Sequence, residues 1–225
     1  MQQIPLNLYT ESKASKSDLI KGEHNSEIVN FLFNNFLTSA EKIILICGPD
    51  KVGKSYLSQL YLDEVKGIKL NDSNISTLEQ IEDLVTKNKV YLLEDISLLA
   101  KQTEKQLFNF YNLVAQSNSK LILTSRVSPK QIDFYLPDLH SRILNTRVFF
   151  ISEPKDDVIK LVLFKMFQDR QLKVDMSIVN YILNRVVRKS LVFYNLINKV
   201  EQEIFTNKQK LTIALVKKLL PNSVS

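Results

Sequence analysis

The segment GPDKVGKS, residues 48–55, constrains the fold of this 225-residue chain more than any other feature. It follows the short apolar run IILIC, residues 43–47, and it precedes a stretch whose apolar residues recur at helical spacing. A loop of the form G-x-x-x-x-G-K-[ST] between a strand and a helix is typical of phosphate-binding sites, because its backbone amides converge on an anion. We therefore predict a strand, a loop and a helix that together bind a nucleotide.

Each side chain of this Walker A pattern has a physical task. Gly48 and Gly53 let the loop amides approach the phosphates, Lys54 bridges the β and γ oxygens, and Ser55 ligates Mg²⁺. The alternative is a chance match in a glycine-bearing turn. The whole chain has four glycines and two of them lie in this loop, so chance is a poor explanation.

An apolar run that ends in two carboxylates, residues 90–95 (VYLLED), supplies the second half of such a site. We assign Glu94 to the magnesium shell and Asp95 to the positioning of the attacking water. Glu94 stands where an aspartate is usual, so its longer side chain is expected to shift the metal geometry and slow hydrolysis. Without the upstream Gly-Lys-Ser, an acidic strand end would be the better interpretation.

Two further residues are candidates for catalysis. Thr124 lies at the end of the strand-like run 121–125, where a sensor of the γ-phosphate would lie, although such a residue commonly just caps a turn. Arg142, within LHSRI at 139–143, lies where an arginine finger would reach a neighbouring protomer's nucleotide. A plain surface arginine is the alternative interpretation.

Short apolar runs alternate with longer amphipathic ones through the first two thirds of the chain. This alternation predicts an α/β fold with a five-stranded, mainly parallel sheet covered on both faces. The predicted strands are 43–47, 67–70, 90–93, 121–124 and 148–151, and the predicted helices are 54–65, 76–86, 103–116 and 129–143, with Ser76 and Thr103 as caps.

After Pro154 the strand-like runs stop. Residues 156–169, 175–187, 189–206 and 211–220 are predicted helices, which form a small all-helical lid. No glycine-rich or serine-rich linker separates it from the sheet, so the two parts are expected to pack together. We predict a polar N-terminal tether at 1–17, an α/β domain at 18–153 and the lid at 154–225.

Composition excludes some classes of protein and leaves others open. With 44% hydrophobic and 24% charged residues, the chain is not expected to be disordered throughout, and no apolar run reaches the length of a membrane span. The N-terminus lacks the pattern of a secretory signal and there is one cysteine, so we expect a cytoplasmic protein. His24, His140 and Cys47 lack metal-ligand spacing and are interpreted as structural.

The formal net charge of +6 comes entirely from the last third of the chain. Residues 151–225 hold 13 Lys and Arg against 7 Asp and Glu, whereas residues 1–150 hold 17 of each. Such a basic region fits either a nucleic-acid or acidic-protein surface or the solvated face of a lysine-rich bundle. Charge alone therefore decides nothing about function.

In this order the elements resemble the AAA+ ATPases. Within them, the segments LPDLHSRI at 136–143, EPKDD at 153–157 and LTIALVK at 211–217 resemble the replication initiator DnaA and its short homologue Hda, the regulator that inactivates DnaA. The resemblance covers almost the entire chain. It implies a P-loop core with a helical lid, ADP or ATP with Mg²⁺ as cofactors, and Arg142 as a finger that acts in trans on DnaA.

Two features make the chain resemble Hda more than DnaA. No segment after the lid matches the helix-turn-helix domain with which DnaA reads DNA, since the chain stops at Ser225. At the N-terminus, QIPLNL resembles the peptide by which Hda-like proteins bind the DNA polymerase sliding clamp, with Gln3, Ile4, Leu6 and Leu8 as anchors. On its own this hexapeptide would be interpreted as a docked strand.

The resemblance implies a clamp-bound regulator that promotes hydrolysis of DnaA-bound ATP and turns over its own nucleotide weakly or not at all. One departure concerns the lid: Leu191 occupies the place of the family's sensor-two arginine, and Arg188 lies three residues earlier. No lid residue is therefore assigned to the nucleotide. Two alternatives remain open, a DNA-remodelling or helicase-loading ATPase and an adaptor that recruits DnaA, and a homodimer is compatible with each.

Overall fold

The computed structural model describes residues 16–71, 75, 77–86, 89–99 and 103–220. The four predicted clamp anchors, Gln3, Ile4, Leu6 and Leu8, and the predicted cap Ser76 lie outside these residues. Five strands form one sheet in the order β2-β3-β4-β1-β5, and every pair is parallel. The strands are β1 Ile43–Cys47, β2 Ile68–Leu70, β3 Val90–Leu93, β4 Lys120–Ser125 and β5 Arg147–Phe150. The predicted fold class is confirmed.

Five helices of the first two thirds accompany the sheet. Alternate side chains of β1 enter two different apolar clusters, because successive residues of a strand point to opposite faces. Leu45 packs in the cluster that contains Phe110 and Ile143, and Ile44 packs in the cluster that contains Leu32 and Tyr61. The helices are α1 Ser26–Asn34, α2 Lys54–Val65, α3 Leu78–Thr86, α4 Glu104–Gln116 and α5 Pro137–Leu144. The sheet is thus covered on both faces, as predicted.

Sequence reasoning missed α1 and misjudged the predicted helix at 129–143. That stretch is a 3₁₀ helix at Pro129–Gln131, a loop, and then α5. Pro137 explains the break, because a residue before proline is driven out of the helical region, and Leu136 is extended at φ −90° and ψ 108°. Thr103 does precede α4, but its hydroxyl makes no capping bond.

Four helices follow the sheet and enclose a third apolar cluster, which includes Phe167, Ile182 and Ile197. The carboxylate of Glu153 ties this helical part to the end of the sheet, since it accepts hydrogen bonds from the Ser190 amide (2.9 Å) and the Ser190 hydroxyl. None of the helices in the described part of the chain has both the length and the apolar character needed to cross a membrane. The four are α6 Asp156–Asp169, α7 Met176–Leu183, α8 Ser190–Asn207 and α9 Ile213–Leu219.

Candidate nucleotide-binding site

The loop between β1 and α2 has the backbone that its glycines predict. Gly48 adopts φ +157°, and a Cβ atom there would lie 2.2 Å from the carbonyl oxygen of Ile151. Gly53, the residue before α2, adopts φ +108°, which a residue with a side chain rarely tolerates. The first glycine is therefore required by a close backbone approach and the second by its own conformation.

Lys54 lies inside the loop as the Walker A pattern predicts. Its ammonium donates hydrogen bonds to the carbonyl oxygens of Gly48 (2.6 Å) and Pro49 (2.8 Å), and the residue is 8% exposed. Burial lowers its pKa, and the nearby carboxylates of Asp50 and Asp95 oppose that shift. A phosphate oxygen is a stronger acceptor for an ammonium than a neutral carbonyl is, so this cation can be transferred to a bound phosphate.

The ends of β3 and β4 bring two predicted catalytic residues together. The backbone amide of Asp95 donates a hydrogen bond to the Thr124 hydroxyl at 2.9 Å. The contact follows from the sheet order, because β3 and β4 are neighbours and their carboxyl ends meet at one edge. Asp95 itself is held in the left-handed region at φ 55° and ψ 54°.

Glu94 lines the same cavity as the loop, and its two carboxylate oxygens have different surroundings. One carboxylate oxygen is 2.5 Å from the ammonium of Lys69, and the other is buried without a hydrogen-bond partner. Ser55 exposes its side chain in the first turn of α2. A hydroxyl and an unpartnered carboxylate oxygen are oxygen donors of the kind that Mg²⁺ accepts. Within the described residues no three His, Cys, Asp or Glu side chains cluster as for a protein-only metal site, so phosphate and water would complete the shell.

Arg126, which sequence reasoning missed, joins two carboxylates of the site. Its Nε donates a hydrogen bond to Asp95, and one of its terminal nitrogens is 2.9 Å from a carboxylate oxygen of Asp50. The hydrogen bond that it donates to Asp95 raises the pKa of the guanidinium. The sequence does indicate this position, because Arg126 directly follows β4 and must therefore lie at the same edge of the sheet as Thr124.

A cavity of about 680 Å³ lies between the loop and the helical lid, a volume within the usual range for small-molecule sites. Its apolar wall includes Ile20, Val162 and Met166, which offers a surface for a flat ring. Lys51 of the loop reaches across, and its ammonium lies 4.2 Å from the ring centroid of Tyr194 on α8. Loop, strand ends and lid therefore line one pocket.

The lid presents a cation to this pocket, although not at either position considered from the sequence. Arg170, at the end of α6, lines the cavity and is held by Glu201 (3.0 Å) and Asn198 (2.7 Å). Burial lowers the pKa of its guanidinium. Neither Leu191 nor Arg188 lines the cavity, and Arg188 is paired with Asp156 instead.

Known proteins were compared with the chain in sequence and in structure. No model of a known protein family matches it. The chromosomal replication initiator protein DnaA of Buchnera aphidicola is 25% identical over 154 residues, which are 67% of this chain and 35% of that protein. An uncharacterized protein of Haemophilus influenzae is 22% identical over 97% of this chain and 98% of its own length. The chain thus matches about a third of the length of the Buchnera initiator.

Solved structures give the same relationship at the level of the fold. Domain III of the replication initiation protein DnaA of Thermotoga maritima superposes with a TM-score of 0.76 at 18% identity, over 91% of this chain and 94% of that one. The chain therefore has the fold of domain III of DnaA. DnaA of Aquifex aeolicus bound to AMPPCP superposes with a TM-score of 0.66 at 19% identity, over 88% and 68% of the two chains.

Arg142 lies apart from the pocket. It is exposed on the last turn of α5, it does not line the cavity, and no partner of its guanidinium is found within the described residues. Its backbone is well held, because its carbonyl oxygen accepts a hydrogen bond from the Thr146 hydroxyl at 2.9 Å. The structure therefore presents the guanidinium to solvent from a fixed turn.

The two histidines and the cysteine differ in their surroundings. Cys47 is buried at the end of β1, and burial raises the pKa of its thiol to about 12. His140 packs against the Phe134 ring at 6.1 Å. His24 lines the cavity, and burial lowers its pKa. Of the three, only His24 is placed where it could contact a bound nucleotide.

Proposed function

We propose that this chain is a regulator of the Hda type, which binds adenine nucleotide in its own pocket and promotes hydrolysis of DnaA-bound ATP in trans. The observation that carries the proposal is the position of Arg142. A guanidinium that is exposed, without a partner among the described residues, and fixed outside the chain's own cavity is available to another protein's nucleotide. The DnaA relationship makes DnaA the expected owner of that nucleotide.

Adenine nucleotide is the proposed occupant of the pocket. The loop amides and Lys54 would hold the phosphates, and Ser55 and Glu94 would face the Mg²⁺ that neutralises them. DnaA of Aquifex aeolicus, which has the same fold, was solved with AMPPCP, an analogue of ATP. In our proposal the nucleotide mainly stabilises the contact between sheet and lid, since it would touch both.

The sliding clamp is the second proposed partner. Gln3, Ile4, Leu6 and Leu8 form an alternating peptide whose apolar side chains could enter a pocket while the Gln amide makes polar contacts. Clamp binding would hold the regulator on DNA that carries a loaded clamp. This part of the proposal rests on the sequence alone.

Arg142 would act electrostatically, by stabilising charge in the transition state. During hydrolysis, negative charge redistributes over the γ-phosphoryl group and the leaving oxygen, and a guanidinium from a second protein stabilises that charge. Its planar pair of donors fits two phosphate oxygens, which a lysine ammonium cannot match. Arg142 would therefore contribute to the transition state on DnaA and contribute little to folding of its own chain.

The test is single-turnover hydrolysis of DnaA-bound ATP with clamp and DNA present. Arg142→Ala should lower the stimulated rate by roughly 10³-fold or more, and Arg142→Lys should recover little of it. Arg185→Ala, which removes another exposed arginine, is the matched control and should stimulate normally. Full stimulation by Arg142→Ala would refute the proposed role, and a lowered melting temperature with weaker ADP binding would indicate a structural role instead.

A further inference from the structure

Asp50, Arg126 and Asp95 form a continuous ion-pair bridge across the phosphate end of the pocket. Arg126 donates to Asp95 through Nε and to Asp50 through a terminal nitrogen at 2.9 Å. The three residues come from three separate segments, the phosphate loop, the end of β3 and the residue after β4, and all three line the cavity. We call this group the acid-arginine bridge.

The position of the bridge relative to Lys54 shows which part of a nucleotide it would meet. The charges of Asp50, Asp95 and Arg126 all act on the pKa of Lys54, so the bridge lies within electrostatic reach of that ammonium. In this type of loop the lysine reaches the β and γ phosphates. The bridge therefore lies at the terminal-phosphate end of the pocket.

The bridge also engages the carboxylate that hydrolysis would need. In that reaction the oxygen of a water molecule forms a bond to the γ-phosphorus, and the water loses a proton. The bond between the γ-phosphorus and the β–γ bridging oxygen breaks, and its electron pair stays on ADP. Asp95 could orient that water and accept its proton only through a carboxylate oxygen that faces it. One of its oxygens, Oδ2, instead accepts a hydrogen bond from Arg126, and the other, Oδ1, accepts one from the Ser97 hydroxyl at 2.7 Å.

We propose that Arg126 is a positioning residue that suppresses hydrolysis in the chain's own site by holding Asp95 and by placing Asp50 beside the space of the third phosphate. This inference rests on the proposed binding of adenine nucleotide and adds the cause of slow turnover. It also has a consequence for binding. ATP has to open the bridge or accept a carboxylate beside its γ-phosphate, whereas ADP ends before it.

The test uses the double variant Asp50→Asn with Arg126→Gln. It removes one negative and one positive charge, so the net charge of the group stays at −1 while the bridge is lost. Single-turnover hydrolysis of ATP in this chain's own site should rise at least about tenfold, because Oδ2 of Asp95 is released from Arg126 and can face the water. The ratio of the ATP to the ADP dissociation constant should fall by about fivefold, the size expected for partly exposed ion pairs.

Two further variants make the result specific. Asp156→Asn with Arg188→Gln removes another Arg-Asp pair that lies outside the pocket, and it should change neither the rate nor the ratio. Adding Asp95→Asn to the first double variant should abolish the gain in rate. If the double variant does not fold, as shown by a thermal melt, Arg126→Lys replaces it, since one ammonium lacks the fork that spans two carboxylates.

Two results would overturn the inference, and they can be distinguished from each other. A double variant that hydrolyses ATP no faster and binds ATP more weakly would show that Arg126 instead binds the third phosphate, and it would overturn the inference while leaving nucleotide binding intact. A parent chain that binds neither ATP nor ADP in calorimetry would overturn the proposed nucleotide function and this inference together.

Discussion

The ammonium of Lys54 already lies inside the phosphate loop before a ligand binds. Its ammonium is already drawn into the loop by two backbone carbonyl oxygens, at 2.6 and 2.8 Å. We expect Lys54→Ala to weaken ADP binding roughly 10- to 100-fold, since hydrogen bonds to charged groups contribute about 1.5–3 kcal/mol. Isothermal titration calorimetry measures the loss directly.

Lys42→Ala is the matched control for that measurement. Lys42 also donates to a backbone carbonyl, that of Ser117 at 2.7 Å, but it precedes β1 at the end of the strand opposite to the loop. The Lys42→Ala variant should therefore bind ADP as tightly as the parent chain. Equal affinity of Lys54→Ala and the parent chain would contradict the assigned phosphate contact.

At the scale of the elements, a buried carboxylate holds the segment that leads into α5. Glu104, the first residue of α4, is 3% exposed and accepts hydrogen bonds from the amides of Tyr135 (3.1 Å) and Leu136 (2.7 Å). Those amides immediately precede Pro137, where α5 begins. Glu104 thereby fixes the start of the helix that carries Arg142.

Removal of this carboxylate is expected to destabilise the protein. Glu104→Ala leaves two amides without their acceptor, which costs about 1–3 kcal/mol and should lower the melting temperature by roughly 3–10 °C. Glu79→Ala, in the exposed first turn of α3, is the control and should shift it by about 1 °C or less. An unchanged melting temperature for Glu104→Ala would show that these hydrogen bonds do not hold α5.

At the scale of the whole molecule, the pocket joins the sheet to the lid. The contact of Lys51 with the Tyr194 ring crosses this gap. A ligand that binds only the folded state stabilises it by about 2.7 kcal/mol at 100 times its dissociation constant. For a chain of this size, ADP should therefore raise the melting temperature by about 5–10 °C.

Tyr194→Ala should reduce that ADP-dependent rise in melting temperature by about a third, because it removes one lid contact of the order of 1 kcal/mol. Differential scanning calorimetry with and without ADP measures it. Tyr181→Ala removes another lid tyrosine that contacts an arginine, at 5.6 Å from its ring, but does not line the pocket. If Tyr194→Ala and Tyr181→Ala reduced the ADP-dependent rise in melting temperature equally, the effect would come from the stability of the lid and not from the pocket.

The sequence alone determined the parts of this protein that depend on neighbouring residues. The order of strands and helices follows from hydrophobic periodicity, which is a local property. The phosphate loop follows from eight consecutive residues. That Asp95 and Thr124 lie at the same edge follows from the rule that parallel strands end together, but their contact also needs β3 and β4 to be neighbours.

Tertiary structure alone decided the features that join distant segments. Arg126 meets Asp50 across 76 residues of sequence, Arg170 meets Asn198 across 28, and Glu104 accepts from the residues before α5 across 31 and 32. Periodicity reports which face of an element is buried, but it does not report which polar side chains from other elements reach the same point. Hydrogen bonds and ion pairs act only at contact distance, so these partners become defined when packing fixes their positions.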